Sequence, residues 1–291
     1  MNTFSIRDIE NLTGIKAHTL RIWEKRYGIV IPPTAPGKHR VYDNNDLKHI
    51  LRISSLYHQG IKISRIAEMS IDEIKKNTLP NEGKSNFEAF ISNLIEFALD
   101  GNESSFKRLL SELREMMGEV NMYMHVVFPF LNRIGDFWLN EKIAPFQEHF
   151  SSNIIRNELI NSIDKTYDGK PRRDPKIVLF CPKGEHHEIP LLFCQFLLRS
   201  KKINTLYLGA DVDEDSVHQI VKKTNPAYLL TFLITNFTNW EPSPYVVNLS
   251  EQFNRQTILI CGPGFKEIIN DQKNVKHMQS MKELIDFCQS L

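Results

Sequence analysis

The feature that most restricts the fold is a change in hydrophobic periodicity near position 170. Between residues 87 and 167, apolar side chains recur every three or four positions, as they do along amphipathic helices. After residue 175, short runs rich in β-branched residues alternate with stretches of helical spacing. Residues 168–175 lie between these regions, and they are polar and carry two prolines. The chain is therefore predicted to be multi-domain, with a helical part followed by an α/β part.

The α/β part predicts a doubly wound parallel sheet with helices on both faces, a Rossmann-like architecture. The predicted strands are residues 177–181, 205–209, 228–234, 257–262 and 275–278. The predicted helices are residues 188–200, 214–224, 244–254, 265–270 and 280–289. In such sheets ligands bind beyond the carboxyl ends of the strands.

Two further domains are predicted before the sheet. Residues 1–77 read as short helices broken by Gly and Pro, and residues 78–86 have the composition of a linker. The helical spacing that follows predicts a four-helix bundle. The predicted domains are therefore residues 1–77, 86–167 and 175–291.

Composition excludes several classes of protein. The 291 residues are 41% hydrophobic and 24% charged, as in a globular protein, and no apolar stretch reaches the length of a membrane span or a signal peptide. We therefore expect a cytoplasmic protein that does not enter a membrane. The cysteines are too scattered for a zinc or redox motif and are expected to be reduced, buried thiols, at positions 181, 194, 261 and 288.

The first 66 residues have the pattern of a DNA-reading head. Two short apolar-faced segments, residues 4–14 and 15–28, are joined by Gly14, which is typical of a helix-turn-helix. This region holds eleven Lys and Arg against five Asp and Glu, although the whole chain has a net charge of only +1. A helical hairpin used only for protein contacts is the alternative, but a basic second segment and a basic hairpin near residues 36–42 favour DNA.

The head resembles the MerR family, whose motif order it keeps. The sequence has T-L-R-I-W-E at 19–24, R-V-Y at 40–42 and D-L at 46–47. The resemblance implies a winged helix-turn-helix on double-stranded DNA, a near-palindromic operator, and self-association as a dimer or tetramer. The candidate DNA-binding residues are Lys16, His18, Thr19, Arg21, Arg26, Lys38, His39, Arg40 and Tyr42.

A second resemblance begins in the helical region. Trp138 is followed by nine residues and then by Glu148 and His149, the pattern of light-sensing, cobalamin-binding MerR regulators of the CarH and LitR type. The resemblance implies that Trp138 packs against the adenosyl group of adenosylcobalamin and that Glu148 contacts it. It also implies that His149 ligates cobalt after light breaks the cobalt–carbon bond.

The α/β part resembles the vitamin B12-binding module. Glu185 and His187 fill the acid and histidine positions of a D/E-x-H-x-x-G loop, which implies that His187 is the lower cobalt ligand and that Glu185 orients it. Thr231 and Leu233 stand at the family's S-x-L, and Gly262 and Gly264 at its Gly-Gly. We call these four residues the tail slot, because the resemblance implies that they line a slot for the nucleotide tail of the cofactor.

The sequence departs from the module at three places. Pro190 stands where the loop has Gly, Thr231 replaces Ser, and Pro263 interrupts the Gly-Gly pair. Proline cannot supply the positive φ or close backbone approach that glycine allows.

Three functions remain open. The favoured one is a non-enzymatic transcriptional repressor that senses adenosylcobalamin and, through it, light. The second keeps the DNA-binding head and has a degenerate module that binds no cobalamin. The third is a corrinoid methyltransferase component, which is disfavoured because residues 1–77 are used as a DNA head and no substrate domain is present.

Overall fold

The computed structural model describes residues 3–29, 40–77, 87–139, 143–168, 173–235, 241–266, 268 and 272–291. The chain divides into two compact units, unit 1 with residues 1–154 and unit 2 with residues 155–291. The predicted division into three domains stays a prediction. Within the described residues, no helix combines the length and the apolar character that crossing a bilayer requires.

Unit 1 begins with the predicted helix-turn-helix. Its first helices are α1 (Ile6–Thr13), α2 (Ala17–Tyr27), α3 (Asn44–His58), α4 (Ile63–Ala67) and α5 (Ile71–Asn77). A capping box between Ser5 and Asp8 starts α1, and Gly14 ends it at φ 69°, a left-handed conformation that glycine adopts without strain. The turn between α1 and α2 therefore follows from the sequence.

The helices of the middle region are α6 (Phe87–Asp100), α7 (Glu103–Met122), α8 (Phe128–Leu139) and α9 (Pro145–Asp164). Their number is that of the predicted four-helix bundle. A π-helical turn, Tyr123–Val127, joins α7 to α8, and Gly118 kinks α7 with φ 78° and ψ 160°. Helix α9 passes from unit 1 into unit 2.

Unit 2 contains the predicted parallel sheet. Its described strands are β1 (Arg173–Pro182), β2 (Ile203–Val212), β3 (Tyr228–Phe232), β4 (Thr257–Cys261) and β5 (Val275–Met278), in the order β2-β1-β3-β4-β5. Every pair of neighbours is parallel. The helices are α10 (Ile189–Ser200), α11 (Glu214–Thr224), α12 (Pro242–Gln252) and α13 (Met281–Ser290). The doubly wound prediction is confirmed.

The predicted helix at residues 265–270 is not found as such. The structure has a 3-10 turn at Pro263–Phe265, and Lys266 and Ile268 lie outside any helix. The other residues of that prediction lie outside the described residues. Pro263 has no N–H group, and the first residue of a helical turn has no partner for one, so proline is favoured there. The turn therefore begins at residue 263, two residues before the predicted helix.

Both unexpected prolines fit the backbone. Pro190 lies in the first turn of α10, where N–H groups have no partner within the helix. Pro263 opens the 3-10 turn after β4. Neither proline therefore disturbs the sheet or its helices.

The strand order reverses between β1 and β3, which is where ligands bind in sheets of this kind. A cleft of about 750 Å³ opens beyond the carboxyl ends of β1 and β2, beside the start of α12. Pro182 and Lys183, which lead into the loop after β1, form part of its wall, together with Val212 and Tyr245.

Candidate functional sites

The candidate lower ligand lies between β1 and α10, in residues 183–188, which we call the ligand loop. Glu185 is buried there, 1% exposed. Its Oε1 accepts a hydrogen bond from the backbone N–H of His187 at 2.7 Å and lies 2.7 Å from the ring Nδ1 of that residue. Its Oε2 accepts from the backbone N–H groups of Ile234 and Thr235, at 2.6 and 2.8 Å, just beyond β3. The structure brings the predicted acid and histidine together.

This arrangement controls which ring nitrogen of His187 carries the proton. Burial alone would raise the pKa of Glu185, but hydrogen bonds from the His187 ring and from three backbone N–H groups hold that pKa below its ordinary value. An ionised carboxylate at Nδ1 favours the tautomer with the proton on Nδ1, and the lone pair then lies on Nε2. The His187 side chain is 44% exposed, as an imidazole that binds an incoming metal requires.

Asp211 and Glu188 also fix the ligand loop, each through two hydrogen bonds. Asp211, near the end of β2, accepts from the backbone N–H of Gly184 at 2.8 Å and donates its own N–H to the Glu185 carbonyl at 3.0 Å. Glu188 accepts from Arg156 Nε and from the Tyr207 hydroxyl, each at 2.6 Å. Arg156 and Tyr207 were not predicted from the sequence, because they carry no local pattern that marks them.

Within the tail slot, Leu233 packs against both glycines. Leu233 is 1% exposed, its N–H donates to the Cys261 carbonyl, and its carbonyl accepts from the Gly264 N–H, both at 2.9 Å. A Cβ at Gly262 would collide with the Leu233 carbonyl oxygen, and one at Gly264 would lie 2.5 Å from Leu233 Cγ. Thr231 is fully buried, and its Oγ1 has no hydrogen-bond partner among the described residues.

The residues predicted to contact the adenosyl group or to bind cobalt after illumination lie in unit 1. Trp138 is half-buried near the end of α8, and Glu148 and His149 lie in the first turn of α9. The ring Nδ1 of His149 is 2.8 Å from Glu148 Oε2, and the His149 side chain is 66% exposed. Both candidate cobalt ligands therefore have a carboxylate at Nδ1.

Most of the predicted DNA-binding residues lie on the surface of α2 or beside it. The exposed ones are Lys16, His18, Arg21 and Arg26, whereas Thr19 is half-buried. Glu10 accepts from Lys16 Nζ and from the first backbone N–H of α2, at Ala17, both at 3.0 Å. This carboxylate caps the helix that is predicted to enter the major groove.

Tyr42 does not lie on that surface. It is 1% exposed, pairs with Phe4 in an antiparallel bridge, and donates its hydroxyl to Glu24 at 2.6 Å. Glu24 also holds Arg40, whose Nε is 2.8 Å away. Tyr42 thus positions Glu24 and Arg40 from inside the core and cannot reach DNA without leaving it. Lys38 and His39 lie outside the described residues.

Helix α8 contacts the head within unit 1. Arg133 donates to the carbonyl of Leu12, at the end of α1, at 3.4 Å, and pairs with Glu88 at 2.7 Å. One turn further on, Phe137 packs against Phe4, with ring centroids 6.4 Å apart. Helix α3 also joins α6, through ion pairs of Arg52 with Glu96 and of Lys48 with Asp100. The turn of the helix-turn-helix therefore contacts α8, the helix that carries Trp138.

The cysteines are buried and free, as expected. Within the part of the chain that the structure describes, no group of three or more His, Cys, Asp or Glu is arranged to hold a metal ion. His187 and Glu185 fit a different case, in which the cofactor brings its own metal and the protein supplies one axial ligand. The donor set of the ligand loop thus fits a corrinoid.

Comparisons with known proteins agree with this architecture. Residues 4–73 match the family of MerR HTH regulatory proteins, and residues 91–159 match a B12 binding domain. The HTH-type transcriptional repressor CarH of Myxococcus xanthus is 22% identical over 78% of this chain and 77% of its own length. The repressor CarA of the same organism is 29% identical over 72% and 69%.

A solved structure shares the fold. The monomethylamine corrinoid protein of Methanosarcina barkeri matches 68% of this chain and 96% of its own, with a TM-score of 0.52 and 14% sequence identity. At this identity the match concerns the fold alone.

Proposed function

We propose that this chain, which is a MerR-type transcriptional regulator with a B12-binding domain, binds adenosylcobalamin through His187 and changes its hold on DNA when it does so. The observation that supports the proposal is the contact of the buried Glu185 carboxylate with Nδ1 of His187, at 2.7 Å. With the proton on Nδ1, the lone pair of Nε2 is available to bind a metal.

The roles in unit 2 follow from these contacts. When bound, the cofactor supplies cobalt, which takes a nitrogen ligand, and a cobalt–carbon bond that light can break. Glu185 keeps the proton of His187 on Nδ1, and the backbone N–H groups of Ile234 and Thr235 keep Glu185 ionised. The amino-acid chain thus sets the ligand in place before the cofactor arrives.

Trp138, Glu148 and His149 are proposed to act on the upper ligand. The exposed imidazole of His149 and the carboxylate at its Nδ1 support a second cobalt ligand of the same design. Light sensing would follow if His149 binds cobalt only after the adenosyl group has left. These three roles come from the resemblance and stay predictions.

The head is proposed to bind a near-palindromic operator as a dimer or tetramer. The exposed Lys16, His18 and Arg21 on or beside α2 can donate to base edges and phosphates. Such a regulator acts on cytoplasmic DNA, and we expect it to repress. Truncating Arg21 to Ala should weaken DNA binding by about 1–3 kcal/mol, measured by fluorescence anisotropy on a fragment selected from a random pool.

Helix α8 offers the connection between cofactor and head. Trp138 lies five residues after Arg133 and directly after Phe137, and both of these contact the head. A shift of α8 on binding of the upper ligand would therefore reach the turn at Leu12 and the Phe4–Tyr42 bridge. Arg133→Gln should leave cobalamin binding intact and weaken its effect on DNA affinity, whereas Lys107→Gln, in an exposed pair on α7, should change neither.

One observation favours a second candidate, a regulator with a degenerate module. Leu233 lies against both glycines of the tail slot, so these glycines are needed for packing whether or not a cofactor binds. A corrinoid methyltransferase component has no comparable support, because the head is a regulator's head and both repressors align over most of the chain.

The test is a visible absorption spectrum after dark incubation with adenosylcobalamin and gel filtration. Wild-type protein should keep a corrinoid spectrum that changes under green light. His187→Ala should lose it, and His186→Ala, which alters the exposed neighbour, should keep it. Colourless wild-type protein would favour the degenerate module, and equal retention by His187→Ala would exclude His187 as the ligand.

A further inference from the structure

The residue that follows His187 is held by two partners from distant parts of unit 2. Glu188 Oε1 accepts from Arg156 Nε of α9 at 2.6 Å, and its Oε2 accepts from the Tyr207 hydroxyl of β2 at 2.6 Å. The Glu188 side chain is only 13% exposed, and that of Arg156 is 43% exposed. Neither partner belongs to the D/E-x-H-x-x-G pattern.

These contacts complete the anchoring of the ligand loop. On the amino side of His187, Glu185 is tied to the segment after β3, and Asp211 is tied to Gly184 and Glu185. On the carboxyl side, Glu188 is the anchor. The Glu188 carbonyl also accepts a hydrogen bond from the Leu192 N–H in the first turn of α10, at 2.9 Å. The position of Glu188 is therefore coupled to the start of that helix.

The charges make this anchor sensitive to the loss of one partner. Burial and the Glu188 carboxylate raise the pKa of Tyr207, which therefore stays a hydroxyl donor. If Arg156 lost its charge, the Tyr207 hydroxyl would be the remaining side-chain donor described for the largely buried Glu188 carboxylate. A buried carboxylate with too few hydrogen-bond donors lowers the stability of the fold. The loop would relieve this by moving Glu188 toward water, and His187 would move with it.

We propose that Arg156 and Glu188 are positioning residues for the cobalt ligand, and that they tie helix α9 to the position of His187. This inference rests on the proposed function, in which His187 binds the cofactor. Arg156 follows the Glu148–His149 pair by seven residues in the same helix, so the contact links the ligand loop to the helix that bears the second candidate ligand.

The variants to compare are Arg156→Gln, Arg156→Lys, Glu188→Gln and Tyr207→Phe. Lys202→Gln is the matched control, because Lys202 forms an ion pair with Asp168 at 2.7 Å in the same unit, before β2 and outside the ligand loop. Each protein, labelled with ¹⁵N-histidine, is loaded with cob(II)alamin, and electron paramagnetic resonance reports whether a histidine nitrogen binds cobalt. The dissociation constant is measured by absorbance titration.

We expect Arg156→Gln and Glu188→Gln to weaken cobalamin binding by about 10- to 100-fold and to reduce the histidine nitrogen signal. Arg156→Lys should recover part of both, and Lys202→Gln should match wild type. In the cofactor-free proteins, hydrogen exchange of residues 186–192 should be faster for Arg156→Gln than for Lys202→Gln. This measurement separates a displaced loop from a failure to fold.

Wild-type affinity and an unchanged nitrogen signal in Arg156→Gln would overturn the inference. Wild-type protein without a histidine nitrogen signal, or His187→Ala with the wild-type signal, would instead overturn the proposed function. The two failures are therefore distinguishable.

Discussion

The ligand loop and the tail slot lie at the same edge of the sheet, yet they are built for different purposes. In the ligand loop, Glu185 accepts two contacts from His187 and two from the backbone N–H groups after β3, and these contacts orient the His187 ring, which is 44% exposed. In the tail slot, both glycines are explained by the close approach of Leu233. The two glycines are therefore weak evidence for a cofactor site, whereas the Glu185–His187 contact in the ligand loop is strong evidence for one.

The largest expected effect concerns the tail slot. Gly262→Ala should reduce the free energy of unfolding by about 4 kcal/mol, because the Cβ meets the Leu233 carbonyl and φ is 102°. Gly60→Ala is the control, since Gly60 also has a positive φ, 87°, but nothing within 4 Å of a Cβ. It should cost about 1 kcal/mol. Urea denaturation measures both, and equal losses would show that Leu233 is not packed as described.

Gly264→Ala should have a smaller effect, about 2 kcal/mol, because its closest clash is with a side chain. Removing that side chain should relieve it. In a double-mutant cycle with Leu233→Ala, the combined loss should therefore be smaller than the sum of the single losses. Additive losses would place the obstruction in the backbone instead.

Glu185→Gln tests the other side of the comparison. The neutral amide no longer favours a proton on Nδ1 of His187, so cobalamin affinity should fall by about 10- to 100-fold. The control is Glu251→Gln, an exposed glutamate on α12. Affinity is measured by absorbance titration in the dark. If the two variants bind equally well, the ligand loop has no special role.

The smallest expected effect is that of Thr231→Val. Since the buried hydroxyl has no partner among the described residues, its removal should raise the free energy of unfolding by about 1 kcal/mol. Cobalamin affinity, measured on the same variant, sharpens the comparison. Loss of affinity together with gain of stability would mean that the hydroxyl serves the cofactor and not the fold.

The sequence was enough to predict most of the order of elements, apart from the helix at residues 265–270, and the two residues that define the ligand loop. Helical spacing, the Gly14 turn and the alternation after residue 175 are local signals, and Glu185 and His187 are two positions apart. The Arg156–Glu188 and Tyr207–Glu188 contacts join positions 32 and 19 residues apart. Contacts at such separations depend on the packed sheet, so a single sequence carries no sign of them.

Tyr42 shows a different limit of the sequence. Its place in an R-x-Y motif within a basic segment suggests contact with DNA, but its pairing with Phe4 buries it. The T-L-R-I-W-E motif ends at Glu24, to which the sequence assigned no role and which binds both Tyr42 and Arg40. A sequence motif identifies residues that function together, but it does not show which of them are exposed to solvent.

The central claim is that cofactor binding at His187 changes the hold on DNA. Its most direct test is the DNA affinity of wild-type protein with and without adenosylcobalamin, in the dark and after green light, by fluorescence anisotropy on the selected fragment. We expect affinity to change on loading, to change again on illumination, and to stay constant throughout in His187→Ala. The same affinity for loaded and unloaded wild-type protein would contradict the claim.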